Sequence, residues 1–122
     1  VRGMIHAGTA TAVHDVSDGG LLVALAEMAI SGQVGAQLLA SPTSIVPHAF
    51  WFGEDQARYV VTVPAAEAGL VLAKMKGVGV PCARIGTTGG DAIAVAGETP
   101  VTIAALNAAF ENWLPNYMSG KV

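Results

Sequence analysis

Residues 10–30 confine this chain to a strand, a tight polar turn and a helix in close succession. Ala10-Thr11-Ala12-Val13 is apolar and β-prone, His14-Asp15-Val16-Ser17-Asp18-Gly19-Gly20-Leu21 is a polar bend, and Leu21 to Ile30 carries a single charge, Glu27. A helix with so few polar positions is buried on most of its faces, since an amphipathic surface helix would carry a polar side. Ser17 or Asp18 is the expected N-cap, because a short side-chain oxygen accepts the first unpaired helical N–H groups. Gly19 and Gly20 leave the first turn bare, so an anion can approach backbone donors that together carry about half a positive charge. Against this, Asp15 and Asp18 repel a phosphate. Two readings stay open on these residues. Either both carboxylates are spent in capping and turn hydrogen bonds, or a divalent cation bridges the loop to a phosphate, with Asp15 as the candidate metal ligand.

The 122 residues suit one domain, and 52% of them are hydrophobic while only 12% are charged. An ordinary soluble domain has about a quarter of its residues charged. So little polar cover implies that part of the surface is buried against something else. The expectation is a single domain cut from a larger multidomain chain, with homodimerisation through the uncovered face as the alternative cover; a start at Val1 rather than Met fits it. The net charge of −3 and the lack of a Lys/Arg cluster argue against a nucleic-acid partner. One cysteine, Cys82, forbids an internal disulfide and fits a reducing compartment. No signal-peptide pattern opens the chain and no apolar run is long enough for a bilayer, so a cytoplasmic location without membrane contact is expected.

Taken in order, Val1 to Ala7 reads as the last turns of a helix closed by Gly8. A strand over Thr9–Val13 and a helix over Gly20–Ile30 follow, the latter ended by Ser31-Gly32. Gly35–Ala40 is a short strand, and Ser41-Pro42-Thr43-Ser44 with Pro47 marks a loop or irregular helix. Phe50-Trp51-Phe52-Gly53-Glu54-Asp55-Gln56-Ala57-Arg58-Tyr59-Val60-Val61-Thr62-Val63 leads three aromatics through an acidic turn into a strand. Arg58, Val60 and Thr62 share one strand face and Tyr59, Val61 and Val63 the other. Glu54, Asp55, Gln56 and Arg58 therefore cluster at one strand end, either as a solvated turn with a weak ion pair or as the polar rim of a ligand site. Pro64 opens a helix carried by Ala65–Lys76. Cys82–Thr87 is expected as a strand, with Cys82 a buried small hydrophobe and Ala92–Ala96 the antiparallel partner across a Gly89-Gly90-Asp91 hairpin. Gly86-Thr87-Thr88-Gly89-Gly90 lacks the Gly-Lys-Ser/Thr ending and following helix of a phosphate loop. Val101–Trp113 is a helix stopped by Pro115, with Ile103, Leu106, Phe110 and Trp113 as a core or interface stripe. Strands and helices in this order give an α+β fold, a mixed β-sheet packed with helices.

No complete catalytic set is visible. His6, His14 and His48 lack metal-ligand spacing, and neither His-Glu-x-x-His, Cys-x-x-Cys nor Gly-x-Ser-x-Gly occurs. By itself the chain reads as half of a site.

Four stretches occur in one order: His14–Leu21, Phe52–Val61, Ala83-Arg84-Ile85-Gly86-Thr87-Thr88-Gly89-Gly90-Asp91 and Trp113-Leu114-Pro115-Asn116-Tyr117-Met118. Together they resemble the C-terminal domain of the phosphoribosylformylglycinamidine synthases of the small multi-subunit form, a domain like the C-terminal domain of aminoimidazole ribonucleotide (AIR) synthetase. A looser Asp-x-Ser/Thr-x-Gly and Gly-Glu-Asp theme runs through the wider superfamily, including AIR synthetase, selenophosphate synthetase and thiamine-monophosphate kinase. The resemblance implies an ATP- and Mg2+-dependent carbon–nitrogen ligase of purine biosynthesis. Its partners would be the N-terminal domains of the same chain, a glutaminase subunit and a small PurS-type subunit. It implies that Asp15 corresponds to a Mg2+ ligand of the enzyme's first half, and that Glu54-Asp55-Gln56 corresponds to a substrate-contacting stretch there. The second half forms an auxiliary site, and the catalytic histidine and most ATP ligands lie in domains absent here. The ligand or nucleotide-site candidates are thus Asp15, Ser17, Gly19, Gly20, Glu54, Asp55, Gln56 and Arg58, with no catalytic residue in this chain. The rival expectations are another superfamily enzyme and a purely structural interaction module.

Overall fold

The computed structural model describes residues 1–41 and 45–120, so the expected loop at 42–44 lies outside the described residues. The elements run α1 (Arg2–His6), β1 (Ala12–Asp15), α2 (Gly20–Gly32), β2 (Ala36–Leu38), α3 (Pro47–Phe52), β3 (Tyr59–Thr62), α4 (Ala68–Gly77), β4 (Gly86–Thr88), β5 (Ala92–Val95), β6 (Val101–Thr102) and α5 (Ile103–Met118). The mixed α+β architecture is as expected. Two compact units divide the chain, one formed by Val1–Ala24 with Ser41–Ile85 and the other by Leu25–Ala40 with the residues from Gly86 onward.

In the first unit, β1 and β3 form an antiparallel pair with Ala12 opposite Thr62 and Asp15 opposite Tyr59. Backbone bonds extend the ladder at both ends, from Thr11 N–H to the Thr62 carbonyl at 2.8 Å and from Val16 N–H to the Arg58 carbonyl at 2.9 Å. Val16, Leu21, Ala24, Trp51 and Val60 are buried here. The alternation expected around Val60 holds at its centre, with Val60 buried and Tyr59 on the exposed side. β1 begins and ends later than the expected Thr9–Val13, because β3 offers ladder partners only to residues 11–16.

α2 buries Leu21, Ala24, Leu25 and Ala29 at helical spacing and exposes Glu27, as its near-absence of charge requires. Gln33 closes it in the left-handed region at φ 51°, and its side-chain amide donates to the Ile30 carbonyl at 2.5 Å.

The second unit is a four-stranded sheet in the order β4-β2-β5-β6. β2 is antiparallel to β4 and parallel to β5, and β5 is antiparallel to β6. The expected β4–β5 hairpin is therefore wrong. β2 lies between those strands, and Gly35 exchanges backbone bonds with the bend that was to close the hairpin: Gly89 N–H to the Gly35 carbonyl at 2.8 Å, and Gly35 N–H to the Gly90 carbonyl at 2.9 Å. A Cβ on Gly35 would collide with the Ala92 backbone, so only glycine admits this close approach.

Two further expectations fail. Cys82–Ile85 is not strand, since β4 begins at Gly86 against a three-residue β2, and Cys82 is exposed rather than buried. α5 runs through Pro115 to Met118. A proline there removes the donor for the Glu111 carbonyl, and that last turn is exposed, so the freed carbonyl is open to solvent rather than buried. The α5 stripe is split: Ile103 is buried, whereas Phe110 and Trp113 are 68% and 59% exposed.

Candidate functional site

The first unit brings the two motifs singled out by sequence into contact. The bend after β1 places Gly19 and Gly20 consecutively in the left-handed region, at φ 80° and 78°. L side chains rarely adopt such angles, and here space forbids them as well. A Cβ on Gly20 would fall 2.5 Å from the Phe52 carbonyl carbon, and one on Gly19 would fall 2.6 Å from Val23 Cγ2. The diglycine thus forms a notch that receives the C-terminal end of α3. Phe52 and Val23 are the packing residues that sequence reasoning missed; their backbone and branched side chain give no local signal of the role.

The expected cap is replaced. Ser17 contributes its backbone carbonyl, which accepts from Gly20 N–H at 3.1 Å. The carboxylate that meets the start of the helix is Glu54, whose Oε1 accepts from Gly19 N–H at 2.8 Å. An acceptor that sequence logic sought at Ser17 or Asp18 comes instead from 35 residues along the chain.

Arg58 is held from several sides at the other end of the same turn. Its guanidinium donates to the Gly53 carbonyl at 3.4 Å, to the Phe50 carbonyl at 3.5 Å and to Asp55 Oδ2 at 3.4 Å. Its Cζ also lies 5.6 Å from the centre of the Phe50 ring. A cation over the last carbonyls of α3 suits the negative end of the helix. The Arg58–Asp55 pair is itself weak, because the Asp55 side chain is 76% exposed. Ala57 takes the left-handed conformation at φ 62° to turn the chain into β3.

Asp15, Ser17, Asp18 and Gln56 are exposed around this clasp. Asp15 ends β1, and its carbonyl oxygen lies 2.6 Å from His14 Nδ1. A carbonyl only accepts, so Nδ1 carries the proton in that contact. Among the described residues no group of three or more His, Cys, Asp or Glu side chains is arranged to hold a metal ion. Two clefts of about 440 Å3 lie at other residues, one lined by Leu72, Lys76, Val80, Cys82 and Arg84 and the other by Gln33, Asp91, Thr102, Ile103 and Asn107. The contact between the two motifs carries a set of exposed polar groups, Asp15, Ser17, Asp18, Glu54, Asp55 and Gln56. No helix among the described residues is long and apolar enough to cross a membrane.

A mixed-sheet fold carrying Asp-Val-Ser-Asp-Gly-Gly beside Gly-Glu-Asp-Gln defines the class. The chain belongs to the AIR synthase related protein family, whose C-terminal-domain model matches residues 1–97. The particular relatives are synthase subunits. Over 121 residues the chain is 74% identical to the phosphoribosylformylglycinamidine synthase subunit PurL of Bradyrhizobium diazoefficiens, covering 99% of this chain and 16% of that protein. It is 65% identical to the corresponding PurL subunit of Nitrobacter hamburgensis, over 100% of this chain and 16% of that one. The chain therefore spans about 16% of the length of the curated relatives it matches. Among solved structures, T. maritima PurL complexed with ATP shares the fold with a TM-score of 0.71 at 18% identity, over 85% of this chain and 20% of that one. The thiamine-monophosphate kinase of Stenotrophomonas maltophilia matches with a TM-score of 0.65 at 26% identity, over 75% of this chain and 33% of that one.

Proposed function

We propose that this chain is the C-terminal AIR-synthase-like domain of a phosphoribosylformylglycinamidine synthase, inactive alone and working within a longer enzyme. The observation that carries the reading is the 74% identity to a PurL subunit across nearly the whole chain. On this reading the complete enzyme is a carbon–nitrogen ligase of purine biosynthesis that uses ATP and Mg2+. ATP phosphorylates the amide oxygen of formylglycinamide ribonucleotide, and ammonia from a glutaminase subunit displaces that phosphate to leave the amidine. The PurL neighbour complexed with ATP supports nucleotide use. The glutaminase, a small PurS-type subunit, the N-terminal domains of the same chain and a cytoplasmic setting belong to the same reading.

The contribution of this domain is a wall and an acidic rim. Asp15 and Gln56 are its ligand-facing groups, Asp15 being the residue to hold Mg2+, with the likewise exposed Ser17 and Asp55; Gly19, Gly20, Glu54 and Arg58 shape the rim. The kinase likeness reflects the common fold, and the much higher identity to synthase subunits favours the ligase.

A graft tests the reading. Residues 1–122 replace the matching segment of the Bradyrhizobium diazoefficiens relative, and ammonia-dependent amidine formation is followed with ATP, Mg2+ and the ribonucleotide. The graft retains kcat/KM within about tenfold of the parent, since catalytic groups outside the segment are untouched. A folded graft without turnover overturns the assignment, and turnover by the isolated chain overturns its dependence on other domains.

A further inference from the structure

We propose that Glu54 is a positioning residue that binds the diglycine bend to the acidic turn and thereby sets the Asp15 rim, acting through its acceptor oxygen rather than through its charge. This inference rests on the function proposed above and deepens it at the same site.

Three observations carry it. The Gly19 N–H, a donor that the start of α2 leaves without a helical partner, is taken by Glu54 Oε1 at 2.8 Å. The turn that carries Glu54 is located independently of that bond. Gly53 N–H bonds to the Ala49 carbonyl at 3.0 Å, the Phe52 backbone fills the notch at Gly20, and Arg58 ties down the Phe50 and Gly53 carbonyls. The Glu54 side chain reaches from one motif to the other, and it is itself exposed, as Asp15 and Gln56 are.

An anionic ligand therefore does not find the Gly19 donor open, because a carboxylate of the chain already holds it. What reaches a ligand is the geometry of the rim. The hydrogen bond needs an oxygen at Oε1 and not a negative charge, so glutamine is an adequate substitute and alanine is not.

The test uses the longer enzyme that contains this chain, as wild type, Glu54→Gln and Glu54→Ala. Two quantities are read: deuterium uptake in peptides covering residues 16–21, and kcat and KM for the ribonucleotide substrate. Glu54→Gln is expected to leave uptake and both kinetic constants within about twofold of wild type, because the acceptor remains. Glu54→Ala raises uptake at Gly19 and raises KM about fivefold with kcat little changed, the loss expected when one hydrogen bond that shapes a site is removed. A glutamine variant as impaired as alanine overturns the proposal, since charge then matters, as it would for direct contact with a ligand. Unchanged uptake in the alanine variant also overturns it. Should alanine prevent folding, Glu54→Asp, which withdraws the acceptor by one methylene while keeping the charge, takes its place: raised uptake at residues 16–21 with raised KM is expected, and wild-type values overturn the proposal. Absence of synthase activity in the wild type defeats the proposed function instead, and the exchange comparison still decides the clasp.

Discussion

A Cβ atom placed on Gly20 would stand 2.5 Å from the carbonyl carbon of Phe52, with two more Phe52 backbone atoms inside 2.8 Å. Backbone cannot move aside as the end of a flexible side chain can. Gly20→Ala adds this clash to the cost of a left-handed alanine and should destabilise the chain by at least about 3 kcal/mol in urea titration. Gly8 is the control, at φ 67° with nothing within 4 Å of its Cβ position. Gly8→Ala should lose only about 1 kcal/mol, the conformational part alone. Equal losses at the two positions would show that the Phe52 contact is unimportant.

Ala57 offers the reverse experiment. It occupies φ 62° in the turn before β3, where a Cβ is strained and glycine is not. Ala57→Gly should gain up to about 1 kcal/mol, part of the relief being cancelled by the freer unfolded chain. Thermal melts that fall instead of rising would mean the methyl group stabilises the turn by more than its strain.

Cys82 is exposed among the residues that follow α4. A disulfide reagent should therefore label the native chain stoichiometrically without denaturant, since access to the thiol is open. Labelling that waits for unfolding would contradict the exposed position.

Asp15 is exposed and contributes only its backbone to the contacts of β1. Asp15→Ala should change stability by no more than about 0.5 kcal/mol, as for most surface positions. If it holds Mg2+ in the complete enzyme, calorimetry there should show Mg-nucleotide affinity weakened about tenfold, as loss of a carboxylate ligand implies. Identical affinities would favour a structural role for the bend.

What sequence reasoning could reach follows the range of the forces involved. The strand–bend–helix at residues 12–32 is local chemistry, written in a glycine pair and an almost uncharged decad, and it is present with shifted ends. Both site motifs were visible for the same reason. Their junction was not, because the Gly19–Glu54 bond joins residues 35 apart and nothing near Glu54 marks its target. The hairpin fails similarly: Gly89-Gly90-Asp91 has the composition of a tight connection, but the partner that enters beside it, Gly35, comes from more than fifty residues earlier in the chain. Pro115 misled in the opposite direction, since a local breaking signal was overruled where solvent meets the freed carbonyl.

The parallel pairing of β2 with β5 sets Leu38 beside Val95, although α3, β3, α4 and β4 all intervene in sequence. A ribosome releases the chain from its N-terminal end, so β2 emerges long before either of its sheet neighbours exists. Over that interval both of its backbone edges lack their native partners and are open to mispairing. The schedule of synthesis, and not only the finished contacts, thus leaves this short strand waiting for partners that come from much later in the chain.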